Sequence, residues 1–205
     1  MSSEKDSLRA RLLAARPGPG DPADRDRRLA SHAAAWVRGA AAARGADERD
    51  DGPLIVAAHV PVGAEPGAAA DLPGTLLGAL GDGGVRLLLP VCPPGPPAAL
   101  RWGVFDGRLR RGRFGLPEPD GEVLGPEALR MADAIVLPGV AADRRGMRMG
   151  RGAGYYDRSL GFADPAAPTA VLLHPGEIVD EVPSDPHDRP VGAIITCDGV
   201  LPARP

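Results

Sequence analysis

With 205 residues, 43% of them hydrophobic, the chain is long enough for one domain with a real core, and a single domain over 1–205 is expected. Its 28 glycines and 24 prolines approach a low-complexity composition, but recurring Val/Ile/Leu clusters exclude global disorder. A net charge of −3 excludes a global field that recruits nucleic acid or an anionic membrane, so neither is an expected partner.

The elements follow in chain order. Residues 3–15 read as a helix, with capping-box spacing at Ser3 and Asp6 and an inward face of Leu8, Leu12 and Ala15. Lys5 and Arg9 stand i, i+4 on another face, a like-charge pair that costs about 0.2–0.5 kcal/mol in an isolated helix, and Arg16 continues the row. PGPGDPAD (17–24) breaks this helix. A second helix over 24–44 carries Leu29, Ala33, Trp36, Val37 and Ala40 on one stripe, and 45–53 is a polar break.

Six strands follow from apolar runs. LIVAAHV (54–60) and VRLLLP (85–90) read as buried strands flanking a short helix over 71–80. LRWGVFDG (100–107) alternates and reads as antiparallel, after an irregular Pro/Gly-rich loop at 91–99. AIVLPG (134–139), TAVLLH (169–174) and GAIITC (192–197) are three more buried runs. Runs that are apolar on both faces, separated by helical patterns, predict an α/β fold with a mostly parallel sheet. Ligands of such folds sit outside the carboxyl ends of the strands, which selects the loops 61–67, 90–98 and 138–154.

Lys5 is the only lysine, and Tyr155 and Tyr156 are the only tyrosines. Cys92 and Cys197 are far apart and lack zinc-type spacing, so they read as small buried thiols in a reducing cytosol. The N-terminus has no apolar core of signal-peptide length and no segment approaches a membrane span, so a cytoplasmic protein is expected.

The densest stretch is RMGRGAGYYDR (148–158). Gly150, Gly152 and Gly154 precede a helix-compatible YYDRSL, an arrangement whose N–H groups can converge on an anion. By itself this loop reads either as plain surface or as a phosphate cradle. No Gly-Lys-Ser/Thr follows, so it is not a Walker A loop. Arg144, Arg145, Arg148, Arg151 and Arg158 crowd the same segment, which suits an anion or a solvated basic loop. Asp157 is either a salt-bridge partner for them or a Mg²⁺ ligand. His174, after the 169–174 strand, could face the cleft. His59, His187 and Glu118 read as structural residues.

In its longer frame, DAIVLPGVAADRRGMRMGRGAGYYDRSL (133–160) resembles the signature of the 5-formyltetrahydrofolate cyclo-ligases. The matching residues are Pro138, Gly139, Val140, Asp143, Gly146, Arg148, Gly150, Gly152, Gly154, Tyr155, Tyr156 and Asp157. The resemblance runs from Lys5, Leu8 and Arg9 through Glu65 in PVGAEPG and FGLPEP (114–119) to His187 and Asp188. The chain departs from the pattern at Met149, Ala142, Ala153 and Gly192, and the 91–99 segment has no clear counterpart.

The resemblance implies a three-layer α/β/α sandwich of the CoA-transferase-like class. It implies an enzyme that uses ATP and Mg²⁺ to convert 5-formyltetrahydrofolate to 5,10-methenyltetrahydrofolate, as a monomer or weak homodimer. ATP binding falls to Lys5, Arg9, Arg148, Met149, Gly150, Arg151, Gly152, Ala153, Gly154, Tyr155 and Tyr156, with Lys5, Arg148 and both tyrosines as catalytic groups. Substrate binding falls to Glu65, Trp102, Gly152, Gly154, Tyr155 and Tyr156, and Mg²⁺ to Asp157 and Asp188. A related nucleotide- or phosphometabolite-binding protein, or a non-catalytic folate-binding module, is the alternative.

Overall fold

The computed structural model describes residues 2–16, 23–45, 52–68, 73–184 and 188–204. Residues 17–22 and 46–51 of the breaks expected at 17–24 and 45–53, the start of the third helix at 71–72, the Ser3 cap and the reading of His187 lie outside the described residues.

Eight strands form the main sheet: β1 (Ile55–Ala57), β2 (Arg86–Val91), β3 (Arg101–Val104), β6 (Val123–Leu124), β7 (Ala134–Pro138), β10 (Thr169–Leu172), β12 (Ala193–Thr196) and β13 (Gly199–Pro202). Their order is β13-β12-β10-β7-β1-β2-β3-β6. The five central strands β12, β10, β7, β1 and β2 are parallel, and β13, β3 and β6 add antiparallel edges. The pleat explains the continuous apolar runs. Val56, Leu87 and Leu89 face one core, while Ala57 and Leu88 face the other.

The first core lies under α2 (Ala23–Ala42) and α3 (Pro73–Gly81), where Leu29, Ala33 and Val37 meet Leu76, Leu77 and Leu80. The second face is covered by short pieces: the 3₁₀ helix Pro126–Met131, α4 (Tyr155–Ser159) and the turn Leu160–Phe162. The α/β sandwich expected from the strand pattern is therefore present, with one thick and one thin helical layer.

A second, small sheet was not expected. β8 (Ala141–Asp143) pairs with β9 (Arg148–Met149) and with β11 (Ile178–Val179). Against it docks α1 (Ser2–Ala14), through Leu8 and Leu12 onto Val140, Ala141, Met149 and Val182. Ala15, expected on that inward face, lies past the helix end and is exposed. This docking carries the cationic face of α1 to the glycine-rich loop. A further hairpin pairs β4 (Leu109–Arg111) with β5 (Pro117–Pro119).

Asp143 locks the turn between β8 and β9. Its fully buried carboxylate accepts the N–H groups of Arg145, Met147 and Val182 and the Arg145 guanidinium. Burial alone would raise this carboxyl; the Arg145 hydrogen bond and the three N–H groups outweigh it and hold the group below its ordinary value of 3.8. A carboxylate depressed in the folded state contributes stability above its unfolded value, and that contribution is lost as pH falls through the folded value. We therefore expect the melting temperature to fall steeply below about pH 4. Asp143→Asn should melt lower at neutral pH and show a flatter acid limb. Parallel pH profiles for the two proteins would remove Asp143 from this role.

Candidate functional site

The sheet reverses its winding at β1, which has β2 on one side and β7 on the other. A crevice opens at such a switch point, outside the carboxyl ends of the strands. Here it is a cavity of about 720 Å³, lined by His59 and Val60 after β1, Pro90 and Cys92 at the end of β2, and Pro138 and Gly139 at the end of β7. All three predicted loops contribute to it. Gly139 is required where the chain leaves β7: a Cβ there would stand 2.6 Å from Val171 and 3.0 Å from Leu173.

One wall is cationic. Lys5 and Arg9 of α1, which share one helix face, both line it. Lys5 pairs with Asp188 at 3.0 Å, and Arg9 pairs with Asp6 and donates to the Gly150 carbonyl at 2.9 Å. The like-charge pair on the helix is thus relieved by a carboxylate for each cation. The segment 148–157 runs beside them. The Arg148 side chain is only 4% exposed; it meets Asp157 at 2.5 Å and donates to the Pro138 carbonyl at 3.2 Å. Arg151 reaches across the cavity to Glu65 at 3.0 Å, and Glu65 also accepts the Val62 N–H.

Gly154 opens α4 with a left-handed φ of 69°, and the Arg158 guanidinium lies over it, donating to the Ala153 and Gly154 carbonyls. A side chain at 154 would meet that guanidinium. Ala153 thus contributes a carbonyl to the loop's closure, whatever its side chain does. Tyr155 and Tyr156 both line the cavity and pack against the second core. Burial, reinforced by the charge of Glu65, raises the Tyr156 phenol, so it remains a neutral hydrogen-bonding group. Lys5, Arg9, Glu65, Asp157, Asp188 and every residue from Arg148 to Tyr156 therefore share one cavity.

Trp102 does not join them. Its register on β3 turns it into the second core, 1% exposed, and it is absent from the cavity wall. Its place as a substrate-binding residue is corrected to core packing, and its indole N–H is buried without a partner. Replacing it with Phe loses ring volume but also removes an unsatisfied donor, so Trp102→Phe should change stability by less than about 2 kcal/mol. KM for a folate should stay within twofold; a tenfold rise would return Trp102 to the site.

The cavity is also lined by residues of the FGLPEP segment (114–119), to which the sequence reading assigned no site role. Phe114 is 67% exposed at the cavity rim and is the non-glycine residue with positive φ (57°) among the described residues. No sequence pattern marks this left-handed backbone. Glu118 is 3% exposed, accepts the Cys92 N–H at 3.0 Å and ion-pairs with Arg110. It lines the cavity as well as bracing its wall. Cys92 is half-buried at the cavity instead of fully buried, and burial together with the Glu118 charge raises its thiol, so it is no thiolate ligand. His174 lies outside the cavity wall and bonds to the Ala64 carbonyl at 3.1 Å. His59 lines it, 3% exposed, with burial lowering its imidazole against the charge of Glu65.

Among the described residues, no three His, Cys, Asp or Glu side chains form a metal cluster. The two carboxylates that the resemblance assigns to a metal, Asp157 and Asp188, each stand beside a cation. That set does not cage an ion by itself. It fits Mg²⁺, which takes one or two carboxylates and completes its shell with phosphate oxygens and water. Among the described residues, no helix is long and apolar enough to cross a membrane.

The profile of the 5-formyltetrahydrofolate cyclo-ligase family matches residues 1–197. A Mycolicibacterium smegmatis 5-formyltetrahydrofolate cyclo-ligase is 42% identical over 145 residues, covering 69% of this chain and 72% of that protein. The Escherichia coli protein of the same name is 29% identical over 116 residues, 55% of this chain and 64% of its own length. The NMR structure of Aquifex aeolicus 5,10-methenyltetrahydrofolate synthetase superposes with a TM-score of 0.68 at 26% identity, covering 98% of this chain and 93% of that one. The Mycoplasma pneumoniae 5,10-methenyltetrahydrofolate synthetase, 17% identical with a TM-score of 0.66 over 95% and 99% of the two chains, shares the fold.

Proposed function

Because the chain belongs to the 5-formyltetrahydrofolate cyclo-ligase family, we propose that it closes 5-formyltetrahydrofolate to 5,10-methenyltetrahydrofolate at this cavity, with ATP and Mg²⁺ and through a phosphorylated formyl group. The chain is an enzyme, a 5-formyltetrahydrofolate cyclo-ligase. The reading of its mechanism rests on one observation: a single cavity is lined both by cations and the glycine-rich loop and by apolar and aromatic groups.

The chemistry needs both kinds of lining. The formyl oxygen is a poor leaving group, so it attacks the γ-phosphorus and ADP departs. N10 then attacks the activated carbon and gives up its proton to the departing phosphate, which leaves carrying the former formyl oxygen. Phosphoryl transfer asks the protein chiefly for positioning and charge neutralisation. Lys5, Arg9, Arg148 and Arg151 supply charge, and the 150–154 loop supplies N–H donors. The Arg148, Arg151 and Lys5 carboxylate pairs then act as preset partners: phosphate competes for each cation without requiring it to move far. Asp157 and Asp188 would hold Mg²⁺, whose chemistry when bound is to neutralise charge on the phosphate oxygens. Glu65 accepts hydrogen bonds from the pterin ring, Phe114 offers an exposed face to the benzoyl ring beyond it, and neutral Tyr155 and Tyr156 stand where the two substrates meet. The whole chain, 1–205, acts as one catalytic unit in the cytoplasm, as a monomer or weak homodimer.

The test is direct. The protein, 5-formyltetrahydrofolate, ATP and Mg²⁺ are mixed, and the near-ultraviolet absorbance of the methenyl product is followed. Product should appear only when all three are present. Nucleotide binding without product at saturating substrates would favour a non-catalytic module.

A further inference from the structure

We propose that Arg113 binds the carboxylates of the substrate's first glutamate at the cavity mouth, and that Arg111, further out, binds those of longer γ-linked tails. This rests on the cyclo-ligase reading and extends it from the reacting end of the substrate to its far end.

Lys5, Arg9, Arg148 and Arg151 each have a carboxylate partner: Asp188, Asp6, Asp157 and Glu65. Arg113 lines the same cavity, and among the described residues it has none. Its guanidinium is held by other means. It donates to the Pro93 carbonyl and lies 4.6 Å above the Phe114 ring. These contacts fix its position without neutralising its charge.

Arg111 repeats the pattern one step further out. It is exposed at the end of β4, and its guanidinium folds over Gly115, next to Phe114. Its neighbours Arg108 and Arg110 are neutralised by Asp106 and Glu118, whereas Arg111 has no carboxylate partner among the described residues. Two unneutralised guanidinium groups thus flank one exposed aromatic at the cavity rim. The 3₁₀ turn Arg113–Gly115 holds that ring outward by its left-handed φ at Phe114.

The ligand chemistry follows. A reduced folate presents a pterin, a flat benzoyl ring and then a glutamate with two carboxylates, and longer γ-linked tails add one carboxylate per residue. With the pterin at Glu65 and the ring against Phe114, the next groups outward are anionic. Arg–carboxylate pairs are charge-assisted and often bidentate, so they hold a flexible tail by orientation as well as charge.

The experiment compares three substrates in wild type, Arg113→Ala, Arg113→Lys and Arg111→Ala. The substrates are 5-formyltetrahydrofolate, its triglutamate form, and the pteroate analogue that lacks glutamate. For Arg113→Ala, KM for the monoglutamate should rise about tenfold or more, with KM for ATP unchanged. KM for the pteroate analogue should change less than twofold. Arg113→Lys should recover part of the loss. Arg111→Ala should matter little for the monoglutamate and several-fold for the triglutamate, and added salt should erase that difference. If Arg113→Ala weakens the analogue equally, its role is only to hold the Pro93 loop, and the proposal fails. If KM for ATP rises instead, Arg113 serves a phosphate, and the proposal also fails. No turnover by wild type on any of the three substrates would refute the cyclo-ligase reading itself.

Discussion

Arg148→Ala is expected to lower kcat/KM by about 10²–10³-fold, the loss typical when a preorganised donor to a developing negative charge is removed. Arg148 is nearly enclosed, and its guanidinium joins three pieces of the site. It bonds to the Pro138 carbonyl at the end of β7, to Asp157 on α4, and lines the cavity from β9. The stability cost should be smaller, about 1–3 kcal/mol, because Asp157 is half-exposed and rehydrates once its partner is gone. Arg148→Lys should not rescue the rate, since an ammonium cannot span the two acceptors as a planar fork does. Steady-state kinetics with thermal melting separate the two effects. A rate within tenfold of wild type in a folded Arg148→Ala protein would take this residue out of the catalytic set.

The largest effect on stability is expected at Glu177, which no sequence motif marks. Its carboxylate meets Arg16 at 2.6 Å with both side chains about 5% exposed or less. Arg16 also donates to the Gly139 carbonyl at 2.7 Å, and Glu177 accepts the His174 N–H at 2.9 Å. A buried pair of this kind is poor evidence for net stabilisation, but losing one partner strands the other charge, at about 3–5 kcal/mol. Glu177→Ala leaves Arg16 with one carbonyl and an already unpartnered terminal nitrogen. The melting temperature should drop by roughly 6–20 °C for a domain of this size. Glu177→Gln, which keeps an acceptor for both neighbours, should fall between.

The network also positions the site. Arg16 anchors the end of α1, which presents Lys5 and Arg9, and His174 extends the network to Ala64, next to Glu65. Loosening it should raise KM for ATP in Glu177→Gln before kcat changes. Equal melting temperatures for wild type and Glu177→Ala would contradict this account.

What the sequence carried and what it did not divide along physical lines. The central strands were legible because both faces of a parallel sheet are buried, which writes continuous apolar runs such as LIVAAHV and TAVLLH. β8, β9 and β11 are two or three residues long, too short to show any period, so the small sheet that seats α1 was not legible. The site's cations were readable because Arg148 and Arg151 are crowded in one segment and Lys5 and Arg9 stand i, i+4 on one helix face. Its 114–119 lining was not: Phe114 depends on a backbone angle, and Glu118 on a hairpin register that sets it opposite Arg110. Trp102 went wrong for a related reason. A lone Trp suits a core and a ligand ring equally, and only the register of β3 decides between them. Arg16 looks like a continuation of the Lys5–Arg9 row, yet burial against Glu177 gives it a different role.

The central claim is that the formyl oxygen is phosphorylated at this cavity and leaves as part of phosphate. It is tested by supplying 5-formyltetrahydrofolate labelled with ¹⁸O in the formyl group, together with ATP and Mg²⁺, and recovering the phosphate after one turnover. The account predicts one ¹⁸O in each released phosphate, with methenyl product formed in equal amount. Unlabelled phosphate alongside methenyl product would contradict it, because the oxygen would then have departed as water.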